Sequence, residues 1–160
     1  MIQRIQTIYL ALTAICGLLM YFFPLVSLVP ANASAEPVIY HLSALEVNVI
    51  TNGTSNVLMR LWPVVVLNAL TIAFAVFTIL QFKSRVKQIR FTHFLLILQL
   101  IQIVFIVFDV EKLSNVAGEG HMITFGVFSV LPALQLLFTR LATGAIKKDE
   151  ALVRSADRLR

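Results

Sequence analysis

Between two apolar runs, Leu61 to Phe82 and Phe91 to Val110, stands the segment Lys83-Ser-Arg-Val-Lys-Gln-Ile-Arg90 with four cations in eight residues. Each run has the roughly 20 residues that a helix needs to cross a hydrocarbon layer about 30 Å thick. Joined by so short a polar segment, the two runs are expected to form a helical hairpin through a membrane. Lys and Arg in short loops are retained on the cytoplasmic side during insertion, so Lys83, Arg85, Lys87 and Arg90 orient both runs. Two further apolar runs, Ile5 to Val29 and Met122 to Leu141, complete a set of four. Alternation then places both termini in the cytoplasm, a loop over 30–59 outside, and a cytoplasmic tail over 143–160.

Composition supports the membrane reading: 59% of the 160 residues are hydrophobic and 13% are charged, against about 45–50% and about 25% in soluble domains. The net charge of +5 invites a nucleic-acid partner until the charges are placed by side. The cytoplasmic segments carry eleven of the thirteen Lys and Arg against three acids, and the outer segments two against five. The excess is therefore a consequence of topology. It predicts attraction to anionic lipid head groups through Arg4, the Lys83 to Arg90 turn, Lys147, Lys148, Arg154 and Arg158, and no nucleic-acid binding.

Polar residues inside the runs recur at helical spacing. Asn68, Thr71, Ala75 and Thr78 share one face of the second run; Gln99 and Gln102 share a face of the third; Gln135 lies in the fourth. Such faces turn away from lipid toward neighbouring helices, where each interhelical hydrogen bond contributes about 0.6 to 2 kcal/mol. Two readings follow. Either the amides tie the helices together, or Asn68, Gln99, Gln102 and Gln135 line a polar path or a ligand pocket. A wide, water-filled cavity at these residues would favour the path, and close packing the tie.

Outside, Thr51-Asn-Gly-Thr54 has the chemistry of a tight hairpin turn, so a short β-hairpin is expected within the first loop. Arg60, beside the second run, is expected at the height of Asp109 and Glu111, which predicts an ion pair at the outer mouth. Pro24 and Pro132 fall within the first and fourth runs, where they predict kinks. In the tail, Leu152, Ala156 and Leu159 share a face opposite charged residues, as in a short amphipathic helix on the cytoplasmic surface. His41 and His121 with Glu46 or Glu119 lack the spacing of a metal site. The single cysteine, Cys16, lies in an apolar run and behaves there as a small hydrophobe.

No Walker loop, dinucleotide fingerprint, Cys-x-x-Cys, zincin or nucleophile-elbow motif occurs, and the runs carry no ionisable residue at their centres, where ion-coupled transporters need one. The chain is expected to be non-enzymatic and to need no cofactor. Its ends, Met1-Ile-Gln-Arg-Ile-Gln-Thr-Ile-Tyr-Leu and Ala145-Ile-Lys-Lys-Asp-Glu-Ala-Leu-Val-Arg-Ser-Ala-Asp-Arg-Leu-Arg, resemble the termini of a family of small four-span membrane proteins from Bacteroidota, the domain of unknown function 4293. The resemblance implies a bacterial inner-membrane protein and no established activity. The expected architecture is an all-α membrane protein, a bundle of four transmembrane helices with a periplasmic first loop and a short C-terminal helix. The expected role is an accessory or scaffold subunit that docks another membrane protein, or a second copy, through its cytoplasmic termini. The alternative is a small-molecule or lipid carrier built on the amide face.

Overall fold

A computed structural model describes residues 3–30, 39–51, 54–81, 84–118 and 121–158. Four long helices carry the chain back and forth: α1 (Gln3–Phe22), α2 (Trp62–Leu80), α3 (Arg85–Ala117) and α4 (Leu131–Arg158). Each is long and apolar enough to cross a membrane. They pack in a ring in which α1 meets α2 and α4, and α3 meets α2 and α4, so sequence neighbours run antiparallel. Large apolar side chains cover the outside, as on α3, where Ile97, Leu100, Ile101, Val104, Val107 and Phe108 are all exposed. A belt of that extent is untenable in water and is at home in lipid.

The all-α expectation is incorrect. Five strands, β1 (Val26–Pro30), β2 (Ile39–Leu42), β3 (Glu46–Thr51), β4 (Thr54–Arg60) and β5 (His121–Phe125), form one antiparallel sheet in the order β4-β3-β2-β1-β5. The hairpin expected in the first loop is present as β3 and β4, with Thr51 opposite Thr54; Asn52 and Gly53 lie outside the described residues. Two of the other strands come out of segments read as membrane helix. The first run divides at Pro24 into α1 and β1, so that proline separates two elements and does not kink a helix. The fourth run divides likewise. Its first residues pair as β5 with β1, Met122 opposite Val29 and Thr124 opposite Ser27. A short 3-10 turn, Val127–Val130, then leads into α4. Pro132 consequently sits in the first turn of α4, where its missing N–H has no partner to lose, and makes no kink.

The sheet and the helices share a core. Leu25, Leu28, Leu42 and Val47 from the sheet side pack with Cys16, Met20, Leu61, Val64, Ile106, Leu113 and Leu131. Backbone bonds fasten the two layers: Ala44 N–H donates to the Met20 carbonyl at 2.9 Å, and Leu61 N–H to the Leu45 carbonyl at 3.2 Å. The first satisfies a carbonyl that the end of α1 leaves without a helical partner. A second cluster, Leu10, Ala14, Ala75, Leu95 and Ala142, holds the opposite end of the bundle.

Other boundaries also shift. At 33 residues, α3 is about 50 Å long and extends past both ends of the expected third span, 91–110. The amphipathic C-terminal helix is not a separate element, because α4 runs unbroken to Arg158. The basic segment expected as a turn over 83–90 is helical from Arg85 onward: α2 stops at Leu80, α3 starts at Arg85, and Gln88 Nε2 donates to the Thr78 carbonyl at 3.1 Å.

Candidate functional site

The polar residues of the four helices meet along the bundle axis in a buried seam. Asn68, Gln99, Gln102 and Gln135 are all 0–1% exposed. Near the sheet end, Asn68 on α2 donates from Nδ2 to the Gly17 carbonyl on α1 at 2.9 Å. Its Oδ1 accepts from Gln102 Nε2 on α3 at 3.4 Å, and Gln102 Oε1 accepts from the Thr71 hydroxyl at 3.3 Å. Three helices are thus joined by amide groups. Nearby, Gln99 Nε2 on α3 donates to Thr139 Oγ1 on α4 at 2.9 Å; that hydroxyl lies 3.3 Å from Thr13 Oγ1 on α1. Gln135 Nε2 on α4 reaches the Thr13 carbonyl at 3.3 Å.

Local sequence explains why the helices come close enough. Gly17 stands where a Cβ would lie 2.7 Å from Gln135 Nε2, 2.8 Å from Ile72 Cγ1 and 3.1 Å from Asn68 Oδ1. A bare backbone there lets α1, α2 and α4 approach together, and small residues serve this purpose throughout membrane helix packing. The hydroxyls add local bonds, donating one turn back: Thr13 to Tyr9, Thr78 to Phe74 and Thr143 to Thr139, while the single hydroxyl hydrogen of Thr71 is shared between the Leu67 carbonyl at 2.9 Å and Gln102 Oε1 at 3.3 Å.

The structure brings together Asn68, Thr71 and Gln102 in one chain of bonds, and Gln99 and Gln135 in a second. Thr78 stands apart, toward the basic turn, and its carbonyl is the acceptor for Gln88. Sequence reasoning overlooked Thr13, Gly17 and Thr139. The spacing Gln135-Thr139-Thr143, and Gln6, Thr13 and Gly17 at intervals of seven and four, carried that signal. Among the described residues, four buried side-chain atoms on the helices have no hydrogen-bond partner: Gln6 Nε2, Gln99 Oε1, Asp109 Oδ2 and Asp149 Oδ2, the last of which has the Arg85 guanidinium beside it.

The expected outer ion pair is not formed. Arg60 belongs to β4, where its cross-strand partner is Glu46. Asp109 is turned into the bundle and only 7% exposed, while Glu111 is exposed on α3. Among the described residues, no ion pair joins Arg60 to either. At the basic end, Arg85 Nε lies 3.3 Å from Asp149 Oδ2 and Arg85 Nη1 donates to the Asp149 carbonyl at 3.3 Å, so the turn is clamped to α4. Lys87, Arg90, Lys147 and Lys148 are exposed there. Lys83 lies outside the described residues, as do the side chains of Arg4, Arg154 and Arg158. His41 accepts or donates to Ser27 at 3.2 Å and His121 sits edge-on to Tyr40; Glu119 is outside the described residues.

Described cavities lie away from the amides. One of about 350 Å³ opens under the sheet between Ile106, Val110, Phe125 and Pro132, and one of about 580 Å³ opens at the basic end beside Arg85, Lys87 and Arg90. The family described as Domain of unknown function (DUF4293) matches residues 2–159. No curated protein matches the chain.

Proposed function

The chain belongs to the DUF4293 family, and we propose that it is a non-enzymatic, multi-pass protein of a bacterial cytoplasmic membrane that serves as an accessory or scaffold subunit of a membrane assembly. Both termini and the basic turn face the cytoplasm, and the sheet faces outward. The asymmetry of charge supports that orientation.

The observation that carries this reading is the outer edge of β5. At the other edge, β4 is blunted: the register shift between Val47 and Asn48 leaves Leu58 as a bulge, and Arg60 closes the strand. Bulges and charges are the usual protection of an open edge. On the described residues β5 has neither. It reads His-Met-Ile-Thr-Phe, pairs only with β1, and exposes Met122, Ile123 and Phe125, followed by Val127 at 87%. Through the 3-10 turn it connects straight to α4, so it lies where the helices leave the apolar layer. Unpaired backbone groups are costly beside hydrocarbon, and an extended segment of a second membrane protein would pair them while covering the apolar side chains.

The seam supports the same reading over a carrier, since the amide N–H groups of Asn68, Gln99, Gln102 and Gln135 all donate to neighbouring helices. The test is purification of the chain at native expression level in mild detergent, with a photo-crosslinking residue at Met122. A stoichiometric membrane protein linked at that site, and lost with Ile123→Pro, is the expected result. Recovery of the chain alone, or with lipid as its sole adduct, would count against it.

A further inference from the structure

At the end of the bundle away from the sheet, a cavity of about 580 Å³ opens between the first turns of α3 and the last part of α4. Its walls carry Arg85, Lys87 and Arg90 against one acid, Glu150, with Val86 and Val153 beside them. The three cations differ in what holds them. Arg85 is fixed by Asp149 through Nε and Nη1, both at 3.3 Å, which presents a pre-oriented guanidinium on the wall. Lys87 and Arg90 are exposed, and Gln88 between them is anchored to the Thr78 carbonyl, so the turn of helix that carries them is fixed in place.

We propose that this cavity binds the head group of an anionic phospholipid, with Arg85, Lys87 and Arg90 on the phosphodiester and Val86 and Val153 against the start of the acyl chains. The apolar walls decide between a lipid and a soluble anion. Val86 and Val153 are 46% and 40% exposed directly beside the cations, and a free phosphate has no use for them, whereas a lipid presents charge and hydrocarbon side by side. Guanidinium groups match phosphate oxygens two at a time. The inference rests on the chain spanning a membrane with this end at the lipid surface.

Full-length chain is reconstituted and then released into detergent with equal amounts of phosphatidylglycerol and phosphatidylcholine, and bound lipid is counted by native mass spectrometry. Preferential retention of phosphatidylglycerol is expected. The double substitution Lys87→Gln/Arg90→Gln should weaken it by roughly thirty-fold or more, because it removes two direct charge-assisted contacts to the phosphodiester. Lys147→Gln/Lys148→Gln removes the same charge from exposed positions outside the cavity wall and should change it less than about threefold, because in detergent no charged membrane surface acts on cations that do not touch the bound lipid. Equal losses in the two variants would mean diffuse attraction and overturn the site. So would equal retention of both lipids, or displacement of the lipid by inorganic phosphate, which would point to a soluble anion. Failure to insert during reconstitution would instead strike at the membrane reading itself.

Discussion

Replacing Gly17 by alanine tests the packing of the seam with a single methyl group. The added Cβ would lie 2.7 Å from Gln135 Nε2 and 2.8 Å from Ile72 Cγ1, both well inside contact distance. The Gln135 amide can swing aside, but it then gives up its bond to the Thr13 carbonyl, a loss of about 0.6 to 2 kcal/mol. Ile72 must shift with its helix, at about 1 to 3 kcal/mol for an overpacked interior. Alanine returns about 1 kcal/mol through its better helix propensity, which leaves a net destabilisation of about 1 to 4 kcal/mol. Gly144 on α4 supplies the control, because a Cβ there meets nothing within 4 Å. Gly144→Ala should therefore stabilise the chain by about 0.5 to 1 kcal/mol. Both are read by equilibrium unfolding in mixed dodecyl sulfate micelles, followed by circular dichroism. Gly17→Ala as stable as Gly144→Ala would refute the close approach of the three helices.

Further outcomes follow from the same geometry. Gln99→Leu/Gln102→Leu should lower the unfolding free energy by about 2 to 4 kcal/mol, since bonds to Thr139, Asn68 and Thr71 are lost together, and folded yield should fall with it. Asp109→Asn should raise stability at neutral pH by about 1 kcal/mol in the same unfolding assay, because it removes a buried charge of which one oxygen has no hydrogen-bond partner. Arg85→Gln should cost about 0 to 1 kcal/mol, its partly exposed pair with Asp149 being screened; a larger loss would show that the clamp between α3 and α4 is needed for folding.

The helices were legible in the sequence because lipid imposes length and apolar character together, and the seam was legible because Asn68, Thr71, Ala75 and Thr78 repeat at helical spacing. The sheet was largely hidden. Val26 to Val29 and Met122 to Phe125 are apolar runs continuous with helical ones, and an apolar stretch reads the same whether it crosses lipid or pairs in a sheet. What distinguishes them is the β1–β5 ladder, a pairing across more than ninety residues of chain that local pattern does not encode. Pro24 marked the first boundary, since the residue before a proline is biased out of the helix. The Arg60 expectation failed for a related reason: Arg60 ends β4 opposite Glu46, and Asp109 is buried in the bundle, neither of which local pattern encodes. Gly17 went unremarked because a glycine in a membrane run gains meaning only from what faces it.

The most direct measurement of whether the seam is a tie or a path is water access at its centre. In a Cys16→Ala background, Gln102→Cys is exposed to a charged, membrane-impermeant thiol reagent, with Trp62→Cys, 62% exposed at the sheet end, as the accessible reference. Rapid labelling is expected at Trp62→Cys and none at Gln102→Cys until the chain is unfolded. Labelling of Gln102→Cys in the folded protein at the rate of the reference would mean that water reaches the amides, and the seam would then have to be read as a path.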